Sequence, residues 1–129
     1  MGNADIVRGF YGAVEGGDLA GGLALLAPDC SWTEMDGLAR GGTYHGPDEV
    51  REGVFFRIGS EWDGFRLTVD EVLDAGDSVV AVGTYAGTCK ATGRELEARV
   101  VHVFHVNDGA IAAFEQFADT ARIAEAKAS

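Results

Sequence analysis

Residues 96–118 read Leu-Glu-Ala-Arg-Val-Val-His-Val-Phe-His-Val-Asn-Asp-Gly-Ala-Ile-Ala-Ala-Phe-Glu-Gln-Phe-Ala. Two runs rich in valine and aromatics, Leu96 to Val106 and Ala110 to Ala118, flank Asn107-Asp108-Gly109. A tight hairpin needs left-handed backbone at its tip, which Asn, Asp and Gly tolerate, so the stretch predicts two paired antiparallel strands. Side chains alternate along a strand, which puts Leu96, Ala98, Val100, His102 and Phe104 on one face and Glu97, Arg99, Val101, Val103 and His105 on the other. The first set is the more apolar and is expected to face inward, taking one imidazole with it. The second set also holds valines, and a bulge would exchange the two faces.

Working upstream, Ser78 to Ala86 and Arg66 to Leu73 are further strand-like runs, set off by Gly76-Asp77 and Thr92-Gly93. The four runs predict an antiparallel meander. Ahead of it the period changes. Ile6, Val7, Phe10, Tyr11 and Val14 recur at the three- and four-residue spacing of one helical face, giving a first helix from Asp5 to Val14. Gly16-Gly17 stops it, and Asp18 can cap a second helix, Leu19 to Leu26, which ends before Pro28. Cys30 to Met35 alternates as a strand, with Trp32 and Glu34 on one face. Asp36 to Gly46 reads as a Gly-rich loop, and His45 within it as exposed. Pro47 then opens a third helix striped by Val50, Val54, Phe55 and Ile58, closed by Ser60 to Gly64. Asp119 can cap a closing helix from Thr120 to about Ala126.

Helices that precede a long antiparallel sheet must cover one of its faces. The expected fold is therefore α+β: a cone-shaped, strongly curved, mixed or antiparallel sheet with three N-terminal helices on its concave face. With 129 residues the chain fits a single domain spanning 1–129, since domains usually run roughly 100 to 150 residues.

Composition narrows the partners. Twenty-one acidic against 10 basic residues give a net charge of −11, with no concentration of Lys and Arg to meet a phosphate backbone. Nucleic acid and anionic membranes are excluded as expected partners. No stretch approaches the roughly 20 apolar residues that span a bilayer, and the first residues lack a signal-peptide pattern, so a cytoplasmic protein is expected. Cys30 and Cys89 lie far apart and read as free structural thiols. His45, His102 and His105 lack metal-ligand spacing, and no phosphate loop or nucleophilic serine motif is present, so no metal and no cofactor are expected.

Several segments carry a family resemblance. Gly93-Arg94-Glu95-Leu96, Val101-His102-Val103-Phe104, Asn107-Asp108-Gly109-Ala110-Ile111, Phe114-Glu115-Gln116-Phe117 and Asp119-Thr120-Ala121 resemble the C-terminal half of SnoaL-like proteins. Gly17-Asp18-Leu19, Trp32-Thr33-Glu34 and Gly42-Thr43-Tyr44-His45-Gly46-Pro47 are similar to the N-terminal half of the same group. The resemblance covers nearly the whole chain and points to the ketosteroid isomerase-like members of the nuclear transport factor two-like superfamily. That fold serves isomerases, cyclases, dehydratases, hydrolases and binding proteins.

The resemblance implies particular residues. Glu34 falls at the position of the isomerases' general base. Their oxyanion-holding tyrosine on helix one corresponds to Phe10, and their protonated aspartic acid on the penultimate strand to His102. The polyketide cyclases of the group pair a histidine with an aspartate fourteen residues later, and His102 and Gln116 reproduce that spacing. Glutamine is no base at neutral pH, so Gln116 is expected to orient its partner.

The candidate catalytic set is thus Glu34, His102 and Gln116. Phe10, Trp32, Val54, Phe55, Ile58, Trp62, Val100, Phe104 and Phe114 are the expected apolar lining of a substrate pocket, each of which would serve equally as ordinary core. Glu34 can alternatively be a surface acid or a buried acid held by a partner, and His102 an inert core histidine. Three readings of function follow, of which a purely structural dimerisation domain is the third. One is a cofactor-independent isomerase, cyclase or dehydratase that transfers a proton on a small hydrophobic, polyketide- or steroid-like substrate. Another is a non-catalytic binder of a small hydrophobic ligand. A valine-rich outer sheet face adds the expectation of a homodimer packed through the sheet.

Overall fold

The computed structural model describes residues 2–38 and 41–128, and Ala39 and Arg40 of the expected 36–46 loop lie outside them. Helices α1 (Asn3–Glu15) and α2 (Leu19–Leu23) come first, then strands β1 (Leu26–Glu34) and β2 (Gly42–His45). A helical run follows: α3 (Gly46–Val50), a π-helical turn over Arg51–Phe55, and α4 (Phe56–Glu61). Strands β3 (Trp62–Ala75), β4 (Ser78–Cys89), β5 (Glu95–Asn107) and β6 (Ala110–Ala118) lead to helix α5 (Thr120–Lys127).

The six strands form one sheet in the order β2-β1-β6-β5-β4-β3. Its pairs are antiparallel except β1 with β6, which run parallel, because the chain has to cross from the first strand to the far edge of the meander and return. The hairpin tip behaves as its residues dictate: Asp108 and Gly109 take φ of 50° and 79°. The inward face of β5 is the one predicted, with Leu96, Ala98, Val100, His102, Phe104 and Val106 all buried and His105 exposed.

Several boundaries differ from expectation, among them β1, which starts at Leu26 instead of Cys30. Helix two stops at Leu23 instead of Leu26, since the Leu25 carbonyl accepts the Ile111 N–H and the chain is already committed to the sheet beside β6. Residues 42–45 of the expected loop form β2, paired to β1 from Ser31↔His45 to Glu34↔Gly42. The third helix is broken by the π turn, which inserts one extra residue per turn where Val54 and Phe55 meet the core. The strand expected at 66–73 extends from Trp62 to Ala75; register shifts between Asp63 and Arg66 and between Val69 and Glu71 change the phase of its alternation and hide its full length.

Inside the cone the apolar side chains form two clusters. One gathers Val7 and Phe10 of α1 with Trp32, Val54, Phe104 and Phe114. The other, under α5, gathers Leu38, Trp62, Tyr85, Leu96, Val100 and Ile123. Gly83 lies where β4 bends against β3. A Cβ there would run into the Thr68 carbonyl oxygen, so the two backbones approach as only glycine allows. Gly83→Ala is therefore expected to lower stability by about 1–3 kcal/mol, as overpacking does. Urea unfolding of the two proteins measures it, and equal midpoints would contradict the close approach.

Candidate functional site

The register of the sheet lines up the buried polar residues. His102 on β5 pairs with Gln116 on β6, and Thr33 on β1 pairs with Glu115 on β6, which sets Glu34 beside Gln116 one step on. On the other flank His102 pairs with Ala81 of β4. Glu34, Gln116, His102 and Ala81 therefore make one row across four strands of the concave face. The next row, Trp32, Phe114, Phe104 and Val79, is wholly apolar. Trp32 stacks on Phe114 with ring centroids 3.7 Å apart.

Glu34, His102 and Gln116 are 4%, 5% and 1% exposed, and among the described residues they are the buried polar or charged side chains. Such groups must find partners or lose free energy. His102 finds two phenols: its Nδ1 lies 2.6 Å from the Tyr11 hydroxyl, and its Nε2 lies 2.6 Å from the Tyr85 hydroxyl. Tyr85 donates in turn to Gln116 Oε1 at 2.7 Å. Trp32 Nε1–H donates to Glu34 Oε1 at 3.1 Å. Two atoms have no partner, Glu34 Oε2 and Gln116 Nε2, and they belong to neighbours in the row.

Burial dictates the charges. Loss of water around the carboxylate pushes the Glu34 pKa up from 4.5 to about 7, against a smaller lowering by the Trp32 N–H. Desolvation lowers His102 from 6.5 to about 3, so its imidazole is neutral at physiological pH. It also raises both phenols, that of Tyr85 with added repulsion from Glu34. The site thus holds one acid poised near neutrality and three groups that stay uncharged.

The structure brings Glu34, His102 and Gln116 into one row, with Phe10, Trp32, Phe104 and Phe114 packed alongside. Val54 is buried in the same cluster, and Phe55 is half-buried against it. Ile58 touches both clusters, while Trp62 and Val100 sit in the second. Two expectations need correction. Helix one does supply a phenol, but from Tyr11, one residue after the Phe10 that counting had placed there. Gln116 is hydrogen-bonded to Tyr85, which stands between it and His102.

Tyr85 was missed altogether. It shares the inward phase of Val79, Ala81 and Gly83, yet it pairs with Ala98, four residues along β4 from the partner of His102. A flat strand would separate those positions by about 14 Å. The Tyr85 and His102 side chains nevertheless meet at 2.6 Å, and nothing local in the sequence shows it.

The SnoaL-like domain family model matches residues 7–114. The chain belongs to that family. It is similar over 100% of its length, and over 99% of the other chain, to an NTF2-like protein from Burkholderia thailandensis, at 43% identity with a TM-score of 0.97. TerC, crystallised with polyporic acid, is 26% identical over 95% of each chain with a TM-score of 0.84. IdmH, a putative polyketide cyclase from Streptomyces antibioticus, shares the fold at 23% identity and a TM-score of 0.77, over 95% of this chain and 96% of that one. No curated protein matches this SnoaL-like domain. Among its described residues no helix is long and apolar enough to cross a membrane, and no three His, Cys, Asp or Glu are grouped to hold a metal ion.

The Glu34 shift makes stability depend on pH. The folded domain holds this proton more tightly than the unfolded chain, so stability is lost as pH rises from about 4.5 through 7, by at most about 3 kcal/mol. His102 acts the other way, and its contribution is lost as pH falls from about 6.5 toward 3. Glu34→Gln keeps an acceptor for Trp32 and removes the first effect. The stability difference, variant minus wild type, is expected to grow by about 1–3 kcal/mol between pH 5 and 8 in urea titrations. A difference that stays constant across that range would refute the buried, proton-holding carboxyl.

Proposed function

We propose that this SnoaL-like domain is a cofactor-independent enzyme of the isomerase, cyclase or dehydratase kind, which moves a proton at a carbon beside a carbonyl of a small hydrophobic substrate. The observation that carries the reading is Glu34: 4% exposed, poised to gain or lose a proton at about pH 7, with Oε2 unpartnered next to Gln116, whose Nε2 is also unpartnered. A base that works at neutral pH needs that proton affinity, and the aromatic wall supplies the dry surroundings that create it. The Gln116 N–H can donate to the substrate oxygen as charge develops there, and the Tyr11 and Tyr85 hydroxyls, through neutral His102, fix the polar side of the site. The substrate is expected to be cyclic and largely apolar, to lie against Trp32 and Phe114.

A second reading is a binder of a small hydrophobic ligand without chemistry, in which Glu34 Oε2 and Gln116 Nε2 would meet polar atoms of the ligand. TerC, crystallised with polyporic acid, supports a small-molecule ligand on either reading. Deuterium exchange separates the two. With 2-tetralone in heavy water, the wild type is expected to accelerate exchange beside the carbonyl, with a rate that rises through about pH 7. Glu34→Gln is expected to lose about 10²–10⁴-fold. Binding of the ketone without exchange would leave the second reading standing, and neither binding nor exchange would remove both.

The same proposal places two copies face to face. On the convex side the rows Leu73, Val80, Val103, Glu115 and Glu71, Val82, Val101, Phe117 form an apolar strip with an acid at each end. Leu73 and Phe117 are 47% and 46% exposed. A second copy related by a two-fold axis covers such a self-matching strip. Free buried Cys30 and Cys89 suit the reducing cytoplasm. Phe117→Asp is expected to turn a dimer into a monomer in light scattering, and a monomeric wild type would defeat this part.

A further inference from the structure

The four hydrogen-bonded groups of the site form a chain with a direction. Gln116 Oε1 can only accept, so Tyr85, at 2.7 Å, gives it the one proton of its hydroxyl. Toward His102, 2.6 Å away, Tyr85 can then only accept, and Nε2 must carry the hydrogen. A neutral imidazole with Nε2–H has a bare Nδ1, which accepts the Tyr11 hydroxyl proton at 2.6 Å. Every hydrogen bond from α1 to β6 points the same way.

Turning the Gln116 amide would reverse all of them. Its N–H would donate to Tyr85, Tyr85 to Nε2, and Nδ1–H to Tyr11, leaving the Tyr11 hydrogen free for a ligand. The two arrangements are exclusive, because each hydroxyl has one hydrogen and the imidazole has one. They present opposite chemistry to the interior. In the first, Tyr11 offers a lone pair and Gln116 its unpartnered Nε2–H; in the second, Tyr11 offers a proton and Gln116 a carbonyl.

We infer that Gln116 is a positioning residue: acting through Tyr85, its amide decides which nitrogen of His102 carries the proton, and with it whether Tyr11 meets the ligand as acceptor or donor. Tyr11 lies at the far end and follows, with its ring stacked on the imidazole at 5.9 Å between centroids.

Two-bond proton–nitrogen correlation spectra distinguish the imidazole tautomers directly. In a His45→Gln, His105→Gln background, His102 is the remaining histidine. With Gln116 present the Nε2–H tautomer is expected. Gln116→Leu leaves Tyr85 without its acceptor, so its proton turns to Nε2 and the spectrum is expected to change to Nδ1–H. Gln116→Met does the same where the leucine variant does not fold. Tyr11→Phe, which removes the follower, is expected to keep Nε2–H. A merely space-filling Gln116 would leave one tautomer throughout. That result, an Nδ1–H tautomer in the parent, or a switch in Tyr11→Phe, would overturn the inference.

Discussion

The structure turns on the burial of three polar side chains in a row across an otherwise apolar concave face. Glu34, Gln116 and His102 lie where water does not reach, and each would cost several kcal/mol there without partners. The fold answers with Tyr11 from above, Tyr85 from further along the sheet, and the Trp32 indole at the edge. What is left unanswered is one carboxyl oxygen, Glu34 Oε2, and one amide nitrogen, Gln116 Nε2. Structure and proposed chemistry are therefore one problem: the desolvation that makes the row expensive is also what brings Glu34 to a useful proton affinity.

The surrounding architecture serves that row. Stacked and edge-on aromatics, Trp32 on Phe114 and Phe104 against Phe10 and Tyr11, give a rigid wall beside it. The parallel pairing of β1 with β6 is what places Glu34 next to Gln116, and without it the acid would lie at a distant edge of the sheet. Small residues also matter. Ala81 ends the row and Gly83 lets β4 approach β3, while Tyr85, two residues further on, carries its phenol to His102.

The SnoaL-like family sets the frame for these residues without dictating their chemistry, because its members place different polar groups on one scaffold. This chain combines a first-strand glutamate with a neutral histidine clamped between two tyrosines. Within the row Glu34 is the group with a proton affinity near neutrality, and the histidine is held neutral.

Much of this was legible in the order of the residues. Alternation along 96–106 fixed the inward face of β5 and so the burial of His102; Asn107-Asp108-Gly109 fixed the hairpin; Trp32 and Glu34, two apart on a strand, had to share a face. These are local rules, set by backbone geometry over a few residues. The parallel β1–β6 pairing, the phase changes in β3, the π turn at Arg51–Phe55, and the meeting of Tyr11, His102, Tyr85 and Gln116 were decided by tertiary structure alone. The reason is physical: partners 91, 17 and 31 residues apart are joined by how far the sheet curls and how the helix rolls on it, quantities summed over the whole core.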